Sequence, residues 1–214
     1  MNQREISLLT LLTAIFIGAL VAASVLAAKI VMIGGLVVPA GVLAYSITFA
    51  MTDTVCEIWG KERTRPLVNA GFVVLMLVFF LNVVAIYLPP APFWPNQEAF
   101  ASILGSTSRI IFASLVAYGI SQTLDIWLFS RVRELTGRRH LWLRNNISTL
   151  LSQTLDTAVF ITIAFYGEMP LLPLIGGQLV VKYLIALVDT PVVYGLVYLV
   201  RLRLGQVTPA TGNA

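Results

Sequence analysis

The stretch ISTLLSQTLDTAVFITIAF, residues 147–165, decides the class of fold because it is long and apolar yet contains an amide and a carboxylic acid. It has no Lys or Arg, and it is close to the ~20 residues that a helix needs to cross a bilayer. Three longer stretches contain no charged residue at all, namely 6–28, 30–52 and 66–97. The chain is therefore predicted to be a membrane protein that crosses the bilayer several times.

The composition excludes an ordinary soluble domain. Charged residues make up 11% of the chain, against roughly 25% in soluble proteins. The hydrophobic fraction is 58% and the mean hydropathy is +0.88, which is too much apolar surface for one small water-facing fold. The first apolar run exceeds the ~7–15 residues of a signal-peptide core, so it is predicted to be a retained helix. The single Cys56 allows no internal disulfide.

The chain divides into six predicted membrane spans separated by polar, Pro-containing or Gly-containing connectors. The predicted fold class is an all-α membrane protein with six transmembrane helices, forming a single domain over 1–204. Residues 205–214 are expected to form a flexible cytoplasmic tail. The spans are placed at 6–28, 36–58, 67–88, 109–130, 146–167 and 174–200.

The distribution of basic residues predicts the orientation. Eleven of the fourteen Lys and Arg residues fall in the terminal regions or connectors on one side of the predicted membrane. The positive-inside rule then places both termini and both basic loops in the cytoplasm. The loop RVRELTGRRHLWLR contains His140 and is interpreted as headgroup-contacting rather than as a nucleic-acid site.

Several polar side chains lie inside the predicted spans. An acid or a lysine at the centre of a membrane helix costs roughly 2.5–3.5 kcal/mol, so such groups usually face a partner or a cavity. The second, fourth, fifth and sixth spans each contain an acid. The residues are Asp53, Glu57, Gln122, Asp125, Gln153, Asp156, Gln178, Lys182 and Asp189.

Two interpretations of this polar set compete. Polar side chains can simply fix helix–helix packing through hydrogen bonds. However, acids on four spans with one lysine exceed what packing requires, which favours a central polar pocket. Glu57 lies near the predicted cytoplasmic interface, where hydration explains it equally well.

The acids and amides in the spans indicate a class of solute, but they do not identify one molecule. A carboxylate and an amide one turn apart suit a planar edge on which N–H groups flank a carbonyl. Aromatic residues are available to stack on a flat ring, namely Trp127, Phe160, Phe165 and Tyr183.

No catalytic, metal or cofactor motif accompanies these groups. The chain has no phosphate-binding G-x-x-x-x-G-K-[S/T] loop, no H-E-x-x-H pair and no G-x-S-x-G element. We therefore expect no cofactor, no metal site and no enzymatic activity. Transport energy would come from a gradient, from metabolic trapping or from a separate protein.

Four stretches carry a resemblance to a known family. They are ITFAMTDTVCEIWGKERTR at 47–65, RIIFASLVAYGISQTLD at 109–125, LWLRNNISTLLSQTLDTAVFITIAFYG at 141–167 and VKYLIALVDTPVVYGLVY at 181–198. In order and spacing they resemble the queuosine precursor transporters, also called the vitamin uptake transporter family. The first span is too generic to test.

The resemblance implies a six-helix carrier in the bacterial inner membrane. Its substrates would be 7-cyano-7-deazaguanine and 7-aminomethyl-7-deazaguanine, with the free base queuine as a further candidate, salvaged for queuosine modification of tRNA. The partners would be this small molecule and the lipid bilayer, with no direct nucleic-acid contact and no need for an ATPase module. Homo-oligomerisation is left open.

The candidate site residues are selected by two criteria, the polar side chains inside the predicted spans and the resemblance to the queuosine precursor transporters. Either Asp125 or Asp156 is expected to accept hydrogen bonds from the ring N1–H and exocyclic amine. The predicted substrate-binding set is Asp53, Gln122, Asp125, Gln153, Asp156, Lys182 and Asp189. A predicted gate or fold anchor comprises Glu57, Arg144 and Asn145.

Two other function classes stay open at this point. One is a membrane subunit that binds another vitamin-like compound and is energised by a separate ATPase module. The other is an intramembrane enzyme that uses paired acids and changes its substrate chemically.

Overall fold

The computed structural model describes residues 3–135 and 141–205, with side chains described outside positions 61, 122–150 and 186–190. The predicted tail, apart from Gly205, lies outside the described residues, as does His140. The described part contains six helices and two short strands. In chain order these are α1 Gln3–Leu26, β1 Ile30–Ile33, β2 Leu36–Pro39, α2 Gly41–Trp59, α3 Lys61–Tyr87, α4 Gln97–Leu135, α5 Leu141–Phe165 and α6 Leu171–Arg203.

The mainly helical class is confirmed, and three described helices are long and apolar enough to cross a membrane. These segments are Gln3–Leu26, Glu62–Tyr87 and Gln97–Ser121. Shorter apolar helical segments occur at Leu151–Phe165 and Leu171–Ile185. Large apolar side chains such as Met76 and Phe80 are more than half exposed on the outside of the bundle. Such a surface fits a hydrocarbon environment, where backbone groups must be paired within the helices.

The all-α prediction was wrong for the connector between the first two helices. Residues 36–39 were assigned to the second span, but they form β2, which pairs antiparallel with β1. The strands are rich in β-branched residues, and Gly34 and Gly35 both have positive φ (57° and 83°). A two-residue turn with two positive φ angles matches the twist of a hairpin, and glycine adopts it without steric cost. Helix α2 therefore begins only at Gly41.

The fourth helix also begins earlier than predicted. The stretch QEAFASILGSTS was interpreted as connector, yet α4 begins at Gln97 rather than near residue 109. Ser and Thr hydroxyls in this helix donate hydrogen bonds to backbone carbonyls one turn earlier, as Thr107 Oγ1 does to Ile103 O at 2.9 Å. This local bonding lets a polar sequence stay helical.

Arg109 joins α4 to the end of α5. Its Nε donates to Ile163 O (2.8 Å) and its Nη2 to Tyr166 O (2.6 Å). Nη1 pairs with Glu168 Oε1 at 2.7 Å. The last carbonyls of a helix have no partner within the helix, so the guanidinium supplies the missing donors. A charge inside the α4 sequence is thus explained by helix capping.

Two buried apolar clusters hold the bundle together at separate levels. One joins α1, α2, α3 and α6 through residues that include Phe16, Met51 and Leu67. The other joins α4, α5 and α6 around Ile110 and Ile161. Because Phe16 and Ile110 also line the central cavity, the cavity lies between the two clusters.

The hairpin packs closely on α6 at a single glycine. A Cβ on Gly177 would clash with Val37 O, whereas a Cβ on the adjacent Gly176 would meet nothing within 4 Å. Only the absence of a side chain at Gly177 lets the β2 backbone reach the helix.

We predict that Gly177→Ala destabilises the fold while Gly176→Ala does not. The alanine methyl would push β2 away from α6, at a cost of about 1–3 kcal/mol typical of overpacking. Thermal unfolding of the purified chain in detergent measures the difference. Equal unfolding temperatures for the two variants would contradict the close packing of hairpin and helix.

Candidate functional site

A cavity of about 580 Å³ lies in the centre of the bundle. All six described helices contribute to its wall, and Pro39 at the end of β2 closes one part of it. Its volume falls within the ~300–1,000 Å³ of typical small-molecule sites. Its polar lining consists of Ser24, Tyr45, Thr48, Thr52, Asp53, Ser114, Tyr118, Asp156, Gln178 and Lys182.

A buried ion pair forms the charged part of this wall. Lys182 Nζ on α6 lies 2.9 Å from Asp156 Oδ2 on α5, and the two side chains are only 10% and 19% exposed. The same ammonium donates to Thr157 Oγ1 at 3.1 Å. Two charges removed from water need both mutual contact and further hydrogen bonds, and this geometry supplies both.

The pentapeptide SQTLD occurs twice, at 121–125 on α4 and at 152–156 on α5, and the first residue of one copy approaches the last residue of the other. Ser121 Oγ lies 3.4 Å from Asp156 Oδ1, but its single proton has a nearer acceptor in Tyr118 O at 3.2 Å. Ser121 therefore positions the carboxylate only weakly. Of these two residues, Asp156 lines the cavity.

Aromatic rings line the apolar part of the cavity. Tyr118 packs on Phe72 with ring centroids 4.3 Å apart, and Tyr45 packs edge-on against Phe49 at 4.9 Å. Phe160 lies one turn beyond Asp156 on α5 and also lines the cavity. A flat ring can therefore find both a stacking surface and hydrogen-bonding groups here.

The structure brings together three of the predicted site residues. Asp53, Asp156 and Lys182 all line the cavity. Gln153 is half-buried and its backbone carbonyl accepts from Thr157 Oγ1 at 2.9 Å, but it is not among the described residues that line the cavity.

Glu57, a predicted gate or anchor, lies outside the cavity. Its carboxylate is 3.3 Å from Arg201 Nη2, and the two side chains are 62% and 42% exposed. This contact links the ends of α2 and α6, and exposed pairs of this kind contribute at most about 1 kcal/mol. The other predicted residues have side chains outside the described set, namely Gln122, Asp125, Arg144, Asn145 and Asp189.

Sequence reasoning missed several cavity residues. Tyr45 and Tyr118 were not selected, because a tyrosine in an apolar helix usually indicates packing or an interface. Gln178 was noted in a polar stripe with Lys182 but was not chosen, although its position one turn before the lysine was the available signal. Among the described residues, no group of three or more His, Cys, Asp or Glu side chains could hold a metal ion.

Comparison with known proteins identifies the family. Residues 39–196 match the sequence profile of a family described as "Putative vitamin uptake transporter". The chain belongs to this family. The match includes the cavity residues of α2 to α6, whereas the part of the wall formed by α1 precedes it. The vitamin uptake transporter assignment agrees with the multi-pass membrane architecture and implies transport rather than catalysis.

Curated relatives of this chain occur in three bacteria. A "Probable queuosine precursor transporter" of Bacillus subtilis (strain 168) is 33% identical over 180 residues, covering 82% of this chain and 79% of that protein. The "Queuosine precursor transporter" of Escherichia coli (strain K12) is 29% identical, covering 59% of this chain and 54% of its own. A "Probable queuosine precursor transporter" of Haemophilus influenzae is 30% identical, with coverages of 59% and 51%. No solved structure matches the chain.

We predict that breaking the ion pair from one side destabilises the protein more than removing both charges. Asp156→Asn or Lys182→Met alone leaves one buried charge without its partner, which costs about 3–5 kcal/mol. The double variant leaves neither charge, so its loss should be smaller than the sum of the single losses. Thermal unfolding of the four proteins in detergent measures this coupling. Strictly additive losses would show that the two side chains do not interact.

Proposed function

We propose that this chain imports queuosine precursors, 7-deazaguanine bases, across the bacterial inner membrane. The observation that carries the proposal is the cavity whose wall combines the Asp156–Lys182 pair with aromatic rings. The family and the names of the relatives supply the substrate class. The base would reach the cytoplasm chemically unchanged and would there be inserted into tRNA.

The chemistry of the wall fits the chemistry of such a base. A 7-deazaguanine has adjacent N–H donors, one carbonyl acceptor and a flat two-ring system. Asp156 can accept from the N1–H donor, because a carboxylate has about four lone-pair sites and Lys182 uses one of them. Lys182 can donate to the carbonyl oxygen, and Phe160 supplies a stacking face. The base would then form hydrogen bonds with both members of the ion pair, and neither charge would be left without a partner.

The aminomethyl precursor needs one further group. Its side chain carries a positive charge, and Asp53 adds a second carboxylate to the cavity wall. Along α2, Asp53 is twelve residues from Gly41 at the hairpin end of the cavity, or about 18 Å of helix. The carboxylates of Asp53 and Asp156 come from different helices, so the cavity can offer anionic groups to separate parts of one substrate.

The remaining predicted residues are assigned roles on the same basis. Gln122, Asp125, Gln153 and Asp189 would complete the substrate path. Glu57, Arg144 and Asn145 would act at the cytoplasmic end, where the exposed Glu57–Arg201 contact can break at little cost during opening.

The proposed topology is a single domain over 1–204 with six spans. Both termini and the tail at 205–214 would lie in the cytoplasm, as the basic residues indicate. The exposed apolar surface of the helices supports membrane insertion. Inverted halves are common in carriers, but the two SQTLD copies lie on consecutive helices and do not define such a repeat.

The experiment is a rescue of tRNA modification. Bacterial cells that can neither make nor import queuosine precursors express this chain and receive a limiting amount of each precursor. We predict that the wild-type chain restores queuosine in tRNA. Asp156→Asn should lower uptake by about tenfold or more, because it removes a charged hydrogen-bond acceptor.

Glu98→Gln is the matched control for this experiment. It is also an acid-to-amide change, but Glu98 is an exposed residue in the first turn of α4 and does not line the cavity. No rescue with any precursor, despite folded protein in the membrane, would contradict the proposal. An ATPase that co-purifies and is required for uptake would favour the binding-subunit alternative. A chemically altered product would favour an intramembrane enzyme.

A further inference from the structure

Gln178 lines the cavity and has a buried side-chain oxygen. The residue is 6% exposed, and its Oε1 has no hydrogen-bond partner among the described residues. Buried polar atoms nearly always have a partner, so an unpaired one on a cavity-lining residue indicates where a ligand or water donor binds once the side chain turns toward the cavity.

The backbone around Gln178 is firmly positioned. The preceding Gly177 lies directly against the β2 backbone at Val37, which fixes the distance between α6 and the hairpin. Lys182 follows four residues later on the same face of α6 and is held by Asp156. The amide is therefore attached to a helix that is fixed by packing on one side and by an ion pair on the other.

Gln178 also lies near a stacking surface. Helices α5 and α6 are antiparallel, and Asp156 on α5 contacts Lys182 on α6. One turn from this contact along each helix are Phe160 and Gln178, and both line the cavity. A ring stacked on Phe160 would present its edge toward the amide.

We infer that Gln178 selects the substrate, its side-chain oxygen accepting a hydrogen bond from the exocyclic amine of the transported base, beside the N1–H that Asp156 accepts. This inference rests on the proposed function. An amide oxygen is an acceptor with two lone pairs and can take this donor. A base without the exocyclic amine would leave the oxygen unpaired in a buried site, so it should be rejected.

The test compares two bases as competitors of precursor uptake. They are 7-deazaguanine and 7-deazahypoxanthine, which lacks the exocyclic amine but keeps the N1–H and the carbonyl. In the wild-type chain, 7-deazahypoxanthine should compete at least about tenfold less well than 7-deazaguanine. Gln178→Met removes the acceptor at similar volume and should bring the two bases to within about twofold of one another.

Ser108→Ala is the matched control. Ser108 Oγ is the other buried described oxygen without a partner, but it does not line the cavity. This variant should keep the wild-type order of competitors. Gln178→Glu retains the acceptor oxygen and should also keep this order if Oε1 makes the contact.

The outcomes separate this inference from the proposed function. Absence of precursor uptake by the wild-type chain would refute the proposed function and the inference together. Uptake without discrimination between the two bases by the wild-type chain would overturn the role of Gln178 alone. Undiminished discrimination in a membrane-inserted Gln178→Met variant would overturn it as well. The comparison of bases in the wild-type chain tests the inference even if this variant does not fold.

Discussion

The rest of the site depends on one constraint, the burial of the Asp156–Lys182 ion pair in an apolar bundle. Two charges 2.9 Å apart, on side chains only 10% and 19% exposed, stay paired only if α5 and α6 keep a fixed register. That register places Phe160 and Gln178 on the cavity wall one turn away. The hairpin sets the other boundary, because Gly177 allows β2 to lie against α6. The ion pair and the hairpin together therefore fix the position of α6 at the cavity.

The sequence predicted the features that depend on the membrane. Long apolar runs and scarce charges indicate helices, because a backbone in hydrocarbon must satisfy its own hydrogen bonds. The same reasoning singled out Asp53, Asp156 and Lys182, since an ionisable group in a span needs a partner or a cavity. The structure gives Lys182 such a partner in Asp156, and all three residues line the cavity.

The hairpin at 30–39 was missed, although two β-branched runs separated by Gly34 and Gly35 are a local hairpin signal. Features that depend on packing between distant segments could not be predicted. Arg109 is the first residue of the predicted fourth span, and its role as a cap for α5 depends on residues more than fifty positions away. Gln178 required knowledge of what remains unpaired in the folded chain. The pentapeptide repeat was visible, but only the structure shows Ser121 meeting Asp156.

The most direct measurement is a structure of the full chain bound to 7-cyano-7-deazaguanine. The central claim is that the cavity beside Asp156 and Lys182 is the substrate site. The account predicts one planar base within the cavity, stacked near Phe160, with its polar edges within hydrogen-bond distance of this pair. A base bound outside the cavity, with the ion pair unchanged and the cavity filled only by water or lipid, would contradict the account.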